Sequence, residues 1–378
     1  MAKTRLSSQR NSPGKARHVN ICIFIKRFSM TEISASLIVI TYNQLEHLMK
    51  LIESISKQSM GHKFETVIVD DCSSDGTGEY LDNIETEADL IIIHNNHNAG
   101  RASSRNTGAK AASGNLLIFV DGDLALDDYF IERHISFHSE NPDMTAVGKV
   151  NYPDDTAAGK YLGNRSMFQL KRPSRIPFRY FISGNFSIPA ELYNELGGFD
   201  EDYAFYGGED LDLGYRLAEE GIDIYYIPQA VAFHVHPIEL HELLSKRYEF
   251  GLKGLALFAA KHPKTAEHVP IYRLFSRPLT HFILRFITIP LFYKPLEYIA
   301  GMTGILSGRV YDYLVFGAVF KGLLDSAEDN FAGTNERAGR SIAGVSIGWM
   351  AIISILYIFD FFGERYKTAL TVLKDMLN

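Results

Sequence analysis

The chain has 378 residues, 46% of them hydrophobic and 22% charged, which is room for about two folded domains of ordinary composition. A net charge of -7 argues against nucleic acid as the main partner, because gripping a phosphate backbone needs a basic surface. The only cysteines, Cys22 and Cys72, exclude a disulfide framework and fit a reducing compartment.

Residues 1–32 stand apart. Lys3, Arg5, Arg10, Lys15, Arg17, Lys26 and Arg27 all precede the first acid, Glu32. The apolar piece Val19 to Ile25 is too short for a signal-peptide core or a membrane span. We read this stretch as a basic, disordered extension, with Met30 as an alternative start.

Strand and helix alternate from Ser34 and set a domain over 33–237. Leu37 to Ile40 is a buried first strand that runs into Thr41-Tyr42-Asn43. Leu45, Leu48, Met49, Ile52 and Ile55 share one helical face, which Gly61 closes. Thr66 to Val69 is a second strand ending in Asp70-Asp71, and Ser73-Ser74-Asp75-Gly76 turns the chain into a second helix. Leu90 to Ile93 is a third strand. Asn98-Ala99-Gly100-Arg101 then opens a small-residue helix through Ala111. Next comes the run that organises the domain, Asn115 to Asp123. Its apolar stretch Leu116 to Val120 ends at Asp121-Gly122-Asp123, the pattern of a strand buried on both faces.

Such alternation implies parallel pairing through right-handed crossovers. Ligands bind these sheets at the carboxyl ends of the strands, so Tyr42, Asp71, Arg101, Asp121 and Asp123 fall at one edge. Two acids one residue apart repel each other there unless a cation sits near them. Carboxylate oxygens suit hard divalent ions such as Mn2+ or Mg2+.

Further on, Asp128 is expected to cap a helix from Tyr129 to His138, ahead of a strand at Thr145 to Val150. Asn151 to Arg179, with its prolines and clustered Arg and Lys, reads as an irregular, mobile loop. Ser183 to Pro189 is a strand with a close backbone approach at Gly184. Gly207-Gly208-Glu209-Asp210 opens a helix that Gly221 closes. Ile222 to Ile227 and Val231 to Phe233 are short strands, followed by His234-Val235-His236-Pro237.

Beyond this point, 238–378 is expected to be helical. His241 to His262 forms a helix cut off at Pro263. Phe282 to Tyr293 is aromatic and apolar, and Ser341 to Phe359 carries no charge. Membrane contact is expected of this part, with 341–359 near the lower length limit for a span.

Taken together, Thr41-Tyr42-Asn43, Val69 to Thr77, Asn98-Ala99-Gly100-Arg101 with Arg105-Asn106, Asp121-Gly122-Asp123 and Gly207-Gly208-Glu209-Asp210 resemble a family 2 glycosyltransferase of the GT-A fold. The match runs from about Ser34 to His236. The Gly-Gly-Glu-Asp helix is also similar to that of bacterial chondroitin-type polymerases and animal galactosyltransferases. Ile40 departs from the proline or threonine of many members. The resemblance implies an α/β domain with a Rossmann-like, mixed, mostly parallel sheet flanked by helices, then the helical C-terminal region. It also implies a metal-dependent inverting transferase that moves a hexose or N-acetylhexosamine from a UDP-sugar to a glycan or lipid-linked glycan acceptor. The setting implied is surface-polysaccharide synthesis, in the cytoplasm at the inner face of the cell membrane.

The nucleotide sugar is then held by Thr41, Tyr42, Asn43, Asp71, Arg101, Asp121, Gly122, Gly184, Asn185 and Tyr206. Tyr42 can stack on uracil. Asp71 can accept the uracil N–H or a ribose hydroxyl, and Arg101 can reach a phosphate or the base. Tyr206 offers a stacking wall for a sugar, while Ser183-Gly184-Asn185 line the donor-sugar pocket. The metal falls to Asp123, with Asp121 on ribose or a metal-bound water. An imidazole completes the set: His234 by resemblance, or its rival His236, on the same face of a strand. Asp210 is the general base that takes the acceptor hydroxyl's proton, and Glu209 binds sugar hydroxyls. Turn chemistry, surface salt bridges and the preference of acids for helix N-termini are the bland alternatives. A sugar-nucleotide pyrophosphorylase is disfavoured because Tyr42-Asn43-Gln44-Leu45 replaces the Gly-rich loop after strand one. A carbohydrate-binding or scaffold protein on a degenerate transferase fold is the non-enzymatic rival.

Overall fold

The computed structural model describes residues 34–58, 64–85, 89–153, 155–164, 166–266, 269–276, 294–299 and 308–332. The basic extension, Gly61, the apolar stretch Phe282 to Tyr293 and the uncharged stretch Ser341 to Phe359 lie outside the described residues.

The apolar runs form strands as their patterning requires. These are β1 (Ala35–Thr41), β2 (Phe64–Asp70), β3 (Leu90–His94), β4 (Leu116–Asp121), β5 (Leu124–Leu126), β6 (Thr145–Asn151), β7 (Ser174–Arg175), β8 (Asn185–Pro189) and β9 (Ile224–His234). They join one mixed sheet in the order β3-β2-β1-β4-β8-β6-β9-β5, with β7 on β9. β3, β2, β1 and β4 run parallel. β8 enters antiparallel between β4 and β6, and β6 and β9 are parallel again. The two short strands expected at 222–227 and 231–233 are one strand, β9, whose pairing with β6 shifts register between Gly148 and Lys149.

Alternate residues of each central strand feed opposite faces of the sheet. Leu37 and Val39 of β1, with Ile118 and Val120 of β4, pack on Leu48, Leu51, Ile52 and Ile55 of α1 (Leu45–Ser56). Ile38, Leu117 and Phe119 face the other way. They meet Phe186 of β8 and, beyond α2 (Thr77–Asp82), Ala102 of α3 (Gly100–Ala111). Both faces are therefore dry, and truncating one of these leucines should cost about 2–5 kcal/mol.

α4 (Phe130–Glu140) starts one residue later than expected, and Asp127 rather than Asp128 holds its start. Asp127 Oδ1 accepts from the Tyr129 N–H at 3.2 Å and its carbonyl accepts from Phe130 N–H at 3.0 Å. The stretch read as an irregular loop carries α5 (Ala157–Gly163), a 3-10 turn at Ser166–Gln169 and β7. Thr156 caps α5 by accepting from Gly159 N–H at 3.1 Å. Ala158 and Leu162 of α5 are buried against later helices. Tertiary packing overrides the weak local signal of the prolines and charges.

Next come α6 (Ala190–Glu195), α7 (Glu209–Glu219) and α8 (Leu240–Glu249), then a π-helical turn at Phe250–Leu255, α9 (Ala256–Lys261), α10 (Pro263–Ala266), α11 (Pro270–Phe275) and α12 (Gly308–Ala332). The single helix expected from 241 to 262 is thus α8, the π turn and α9 in unbroken succession. The π turn lies where backbones touch. A Cβ on Gly254 would stand 2.3 Å from the Gly207 carbonyl oxygen, and one on Gly251 2.1 Å from that of Val319 in α12. Single π turns inside helices occur often at functional sites. This one presses on the loop that opens α7. No described helix is long and apolar enough to cross a membrane.

Candidate active site

Three parallel strands deliver the polar cluster to one edge. β1 ends at Thr41, β2 at Asp70 and β4 at Asp121, and the register pairs Thr41 with Asp70 and Ile40 with Asp121. Gly122 donates its N–H to the Ile40 carbonyl at 3.0 Å, so the Asp121-Gly122-Asp123 turn is bonded to the neighbouring strand. Asp71 is buried and accepts from Ala99 N–H at 2.8 Å, Gly100 N–H at 2.9 Å and Asn95 Nδ2 at 2.8 Å. It therefore anchors the start of α3, with one acceptor position left. Tyr42 is 46% exposed at the rim, free to stack.

Two side chains expected on the donor are committed elsewhere. Asn43 holds the following loop, accepting from Ser74 N–H at 2.7 Å while its own N–H donates to Ser73 Oγ at 2.9 Å. Asn185 does not line the cleft. Paired opposite Val120 at the start of β8, it is fully buried on the α4 side, with Oδ1 3.1 Å from His134 Nε2 and Nδ2 donating to the Lys149 and Ala230 carbonyls. Gly184 stays at the cleft, where a Cβ would lie 2.8 Å from Asp121 Oδ2. Thr41 is buried beneath the edge, at 2% exposure. Tyr206 is no bare wall: the Arg101 guanidinium lies 4.7 Å and Lys246 Nζ 5.7 Å from its ring centroid.

The antiparallel pairing of β5 with β9 builds the candidate metal group. Leu124 pairs with His234 and the Val235 N–H donates to the Asp123 carbonyl at 3.0 Å. His234 and His236, two residues apart, then share the face beside Asp123. Their Nε2 atoms lie 3.4 and 3.8 Å from Asp123 Oδ2, and one ligand atom from each of the three residues falls within 4.8 Å of the others. Each Nδ1 is 2.9 Å from a backbone carbonyl, of His236 and Pro237 respectively. Donation from Nδ1–H to those carbonyls leaves both Nε2 lone pairs aimed at a carboxylate oxygen, which requires a proton or a cation between them. Burial works against the Asp123 charge, yet the two imidazoles hold its carboxyl far below the usual range. An N,N,O set of this kind fits a divalent transition ion. His234 and His236 thus stand together rather than as rivals, and Asp121, whose Oδ1 pairs with Arg105, is not part of this group.

Arg105 had no role assigned from sequence. It is 2% exposed and places Nη2 2.8 Å from Asp121 Oδ1 and Nη1 3.4 Å from Glu209 Oε1. The signal available was one arginine among the small residues that let α3 sit close to the sheet. Glu209 Oε2 and Asp210 Oδ1 have no hydrogen-bond partner among the described residues. Burial and the adjacent Asp210 outweigh Arg105 and push Glu209 up to about 7. Burial raises Asp210 also, against Arg105 and a hydrogen bond from Ser183. The Gly207-Gly208 approach, with φ of +83° and +106°, is a backbone course that side chains rarely tolerate. Arg101, Asp121, Asp123, His234, Glu209 and Asp210 all face one cleft of about 430 Å³.

A mixed α/β sheet with a carboxylate turn at the end of its central strand and a second acidic pair across the cleft defines a GT-A glycosyltransferase fold. Residues 36–199 match the model of "Glycosyl transferase family 2", and residues 167–239 that of the "N-terminal domain of galactosyltransferase". Residues 36–199 are thus assigned to a family 2 glycosyltransferase domain. It is 25% identical over 240 residues to hyaluronan synthase of Pasteurella multocida, covering 54% of this chain and 25% of that protein. It is 27% identical over 266 residues to validoxylamine A glucosyltransferase of Streptomyces hygroscopicus subsp. jinggangensis, covering 60% and 61%. The chain thus spans a quarter to under two thirds of these relatives. Among solved structures, the mannosyltransferase PcManGT of Pyrobaculum calidifontis, in complex with GDP-Man and Mn2+, matches with a TM-score of 0.53 at 18% identity, over 80% of this chain and 88% of that one. S. aureus TarS in complex with UDP-GlcNAc matches with a TM-score of 0.52 at 18% identity, over 81% and 93%. These two share the fold.

Proposed function

We propose that the protein transfers a hexose or N-acetylhexosamine from a UDP-sugar to a hydroxyl of a glycan acceptor, with inversion, in cell-surface polysaccharide synthesis at the inner face of the membrane. The observation that carries this reading is the meeting of the Asp123-His234-His236 group and the Glu209-Asp210 pair at one cleft in a family 2 glycosyltransferase. Asp123, His234 and His236 would hold a divalent ion, the two imidazoles suiting Mn2+ better than Mg2+, and the ion when bound would neutralise charge on the diphosphate. Tyr42 stacks on the base, and Asp71 offers its remaining acceptor position to a base N–H or ribose hydroxyl. Arg101 supplies positive charge to the phosphates.

Asp210 is the base. Asp210 is only partly buried as a residue and lines the cleft, whereas Glu209 is 3% exposed and tied to Arg105. The acceptor oxygen attacks the anomeric carbon as its proton passes to Asp210, and the bond to the diphosphate breaks on the opposite side, releasing UDP. Arg105 keeps Asp121 and Glu209 in place through these steps. A panel of UDP-sugars, read by acceptor-dependent UDP release with manganese present, tests the reading. Release from one donor is expected, and silence across the panel contradicts it.

A further inference from the structure

The candidate metal group is braced from α1. Of its two imidazoles His236 is the less enclosed, with 21% of its side chain exposed against 9% for His234. Its Nδ1 meets the carbonyl of the very next residue, Pro237. That contact selects which ring nitrogen faces Asp123, but both partners belong to one loop, so it gives the ring no outside reference. The outside reference is a third imidazole. His47 is stacked on the flat face of His236, with ring centroids 4.6 Å apart and planes 16° from parallel. His234 meets the same ring nearer edge-on, at 4.2 Å and 62°.

His47 stands in the first turn of α1, at the sheet edge where β1 ends. Helical side chains lean toward the start of their helix, which here is the edge that carries the Asp121-Gly122-Asp123 turn. The helix is a fixed platform. Leu48, Leu51, Ile52 and Ile55 bury its inner face. The Leu126 N–H donates to Ser54 Oγ at 2.9 Å, and Gln58 Nε2 donates to the Asp127 carbonyl at 2.8 Å. These bonds tie α1 to β5, which begins just after Asp123 and pairs with the strand that ends at His234. His47 Nδ1 is buried without a hydrogen-bond partner among the described residues. An unpartnered buried nitrogen calls for a reason, and the stack supplies one: the ring is placed by its face. His47 contributes no atom to the three-residue group itself, so it acts through His236.

We infer that His47 is a positioning residue for the divalent ion: its ring, carried by α1, fixes the plane of His236 so that Nε2 stays aimed at the site shared with Asp123 and His234. This deepens the metal-dependent reading proposed above and rests on it. Mn2+ alone is the probe, titrated into the full-length protein with the free ion followed by its electron paramagnetic resonance signal. His47→Ala should bind Mn2+ about tenfold more weakly than the wild type, as expected on losing a group that orients a ligand. His47→Leu, bulky but not flat, should fall with it. His47→Phe keeps a flat ring without nitrogens and should stay within about threefold of the wild type. Urea midpoints of the metal-free proteins are read in parallel, since a His47 that served only the packing of α1 would lower the midpoint and leave Mn2+ affinity unchanged. Mn2+ affinity in His47→Ala and His47→Leu equal to wild type overturns the inference. So does a His47→Phe protein as weak as His47→Ala, which would make a nitrogen rather than the stack the working part. A wild type that leaves the free Mn2+ signal undiminished overturns the metal group itself and is seen before any variant is made.

Discussion

Arg105 reaches Asp121 at 2.8 Å from a position only 2% exposed, and on its other nitrogen meets Glu209. One helix residue thereby ties the end of the central strand to the start of α7. Arg105→Met leaves Asp121, Glu209 and Asp210 close together without their cation. Breaking a buried pair in this way costs about 3–5 kcal/mol. Chemical denaturation should show a loss of that order, with Arg105→Lys milder because the charge stays while the two-pronged geometry goes. A denaturation midpoint equal to wild type in Arg105→Met would show that the acids do not need it.

Gly254 sits flush against Gly207, so Gly254→Ala must displace the loop that carries Glu209 and Asp210. We expect turnover to fall by about tenfold or more with UDP affinity within about threefold, the pattern of a lost transition-state contact. Gly163→Ala, where a Cβ meets nothing within 4 Å, is the control. Equal effects from the two substitutions would contradict the account.

The acidic pair sets a pH dependence. With Glu209 pushed up to about 7 by burial and Asp210, and Asp210 itself raised, protons stay on the pair at mildly acid pH and block a base. Turnover should therefore rise with pH through an inflection near 7 that belongs to the pair as a unit. Glu209→Gln removes a neighbouring negative charge and should move that inflection to lower pH. A profile of kcat that is flat from about pH 5.5 to 8 would remove the carboxylates from the chemical step.

Stability has its own acid limit, away from the cleft. Ser187 Oγ lies 2.8 Å from both His134 Nδ1 and His138 Nε2, and both rings are fully buried. Burial lowers His134 to about 4, and burial with His134 alongside lowers His138 to about 3. An unfolded chain takes up these protons as pH falls below about 6.5, whereas the folded chain does not. The stabilisation is complete above that pH and is lost as pH falls toward 4, by about 3 kcal/mol from His134 alone. Urea midpoints at about pH 7.5 and 5 should differ accordingly. Equal midpoints would mean that the rings take up protons as readily in the fold as in the unfolded chain.

Much of this was legible in the chain. Leu37 to Ile40 and Leu116 to Val120 announce buried strands by apolar continuity, and Asp121-Gly122-Asp123 marks where the central strand stops. The direction of Asn185 was not legible. Its neighbour Gly184 faces Asp121, but the antiparallel register against Val120 turns Asn185 to the α4 side, and register is a property of two strands. α5 was hidden because its own residues carry little helical signal and it is held by Leu240, Leu243 and Tyr311. The Gly207–Gly254 contact joins backbones 47 positions apart, and no local pattern marks such an approach. Arg105 was visible as a residue and not as a tie, since its partners come from β4 and α7.

In the proposed transfer from a UDP-sugar, Asp210 accepts the acceptor's proton. The measurement closest to it is turnover of Asp210→Asn at saturating donor and manganese. Asn preserves shape and removes the basic oxygen, so kcat should fall by about 10²- to 10⁴-fold, with UDP affinity within a few-fold of wild type. Turnover near the wild-type value in a folded, UDP-binding Asp210→Asn protein would contradict the account and place the base elsewhere in the cleft.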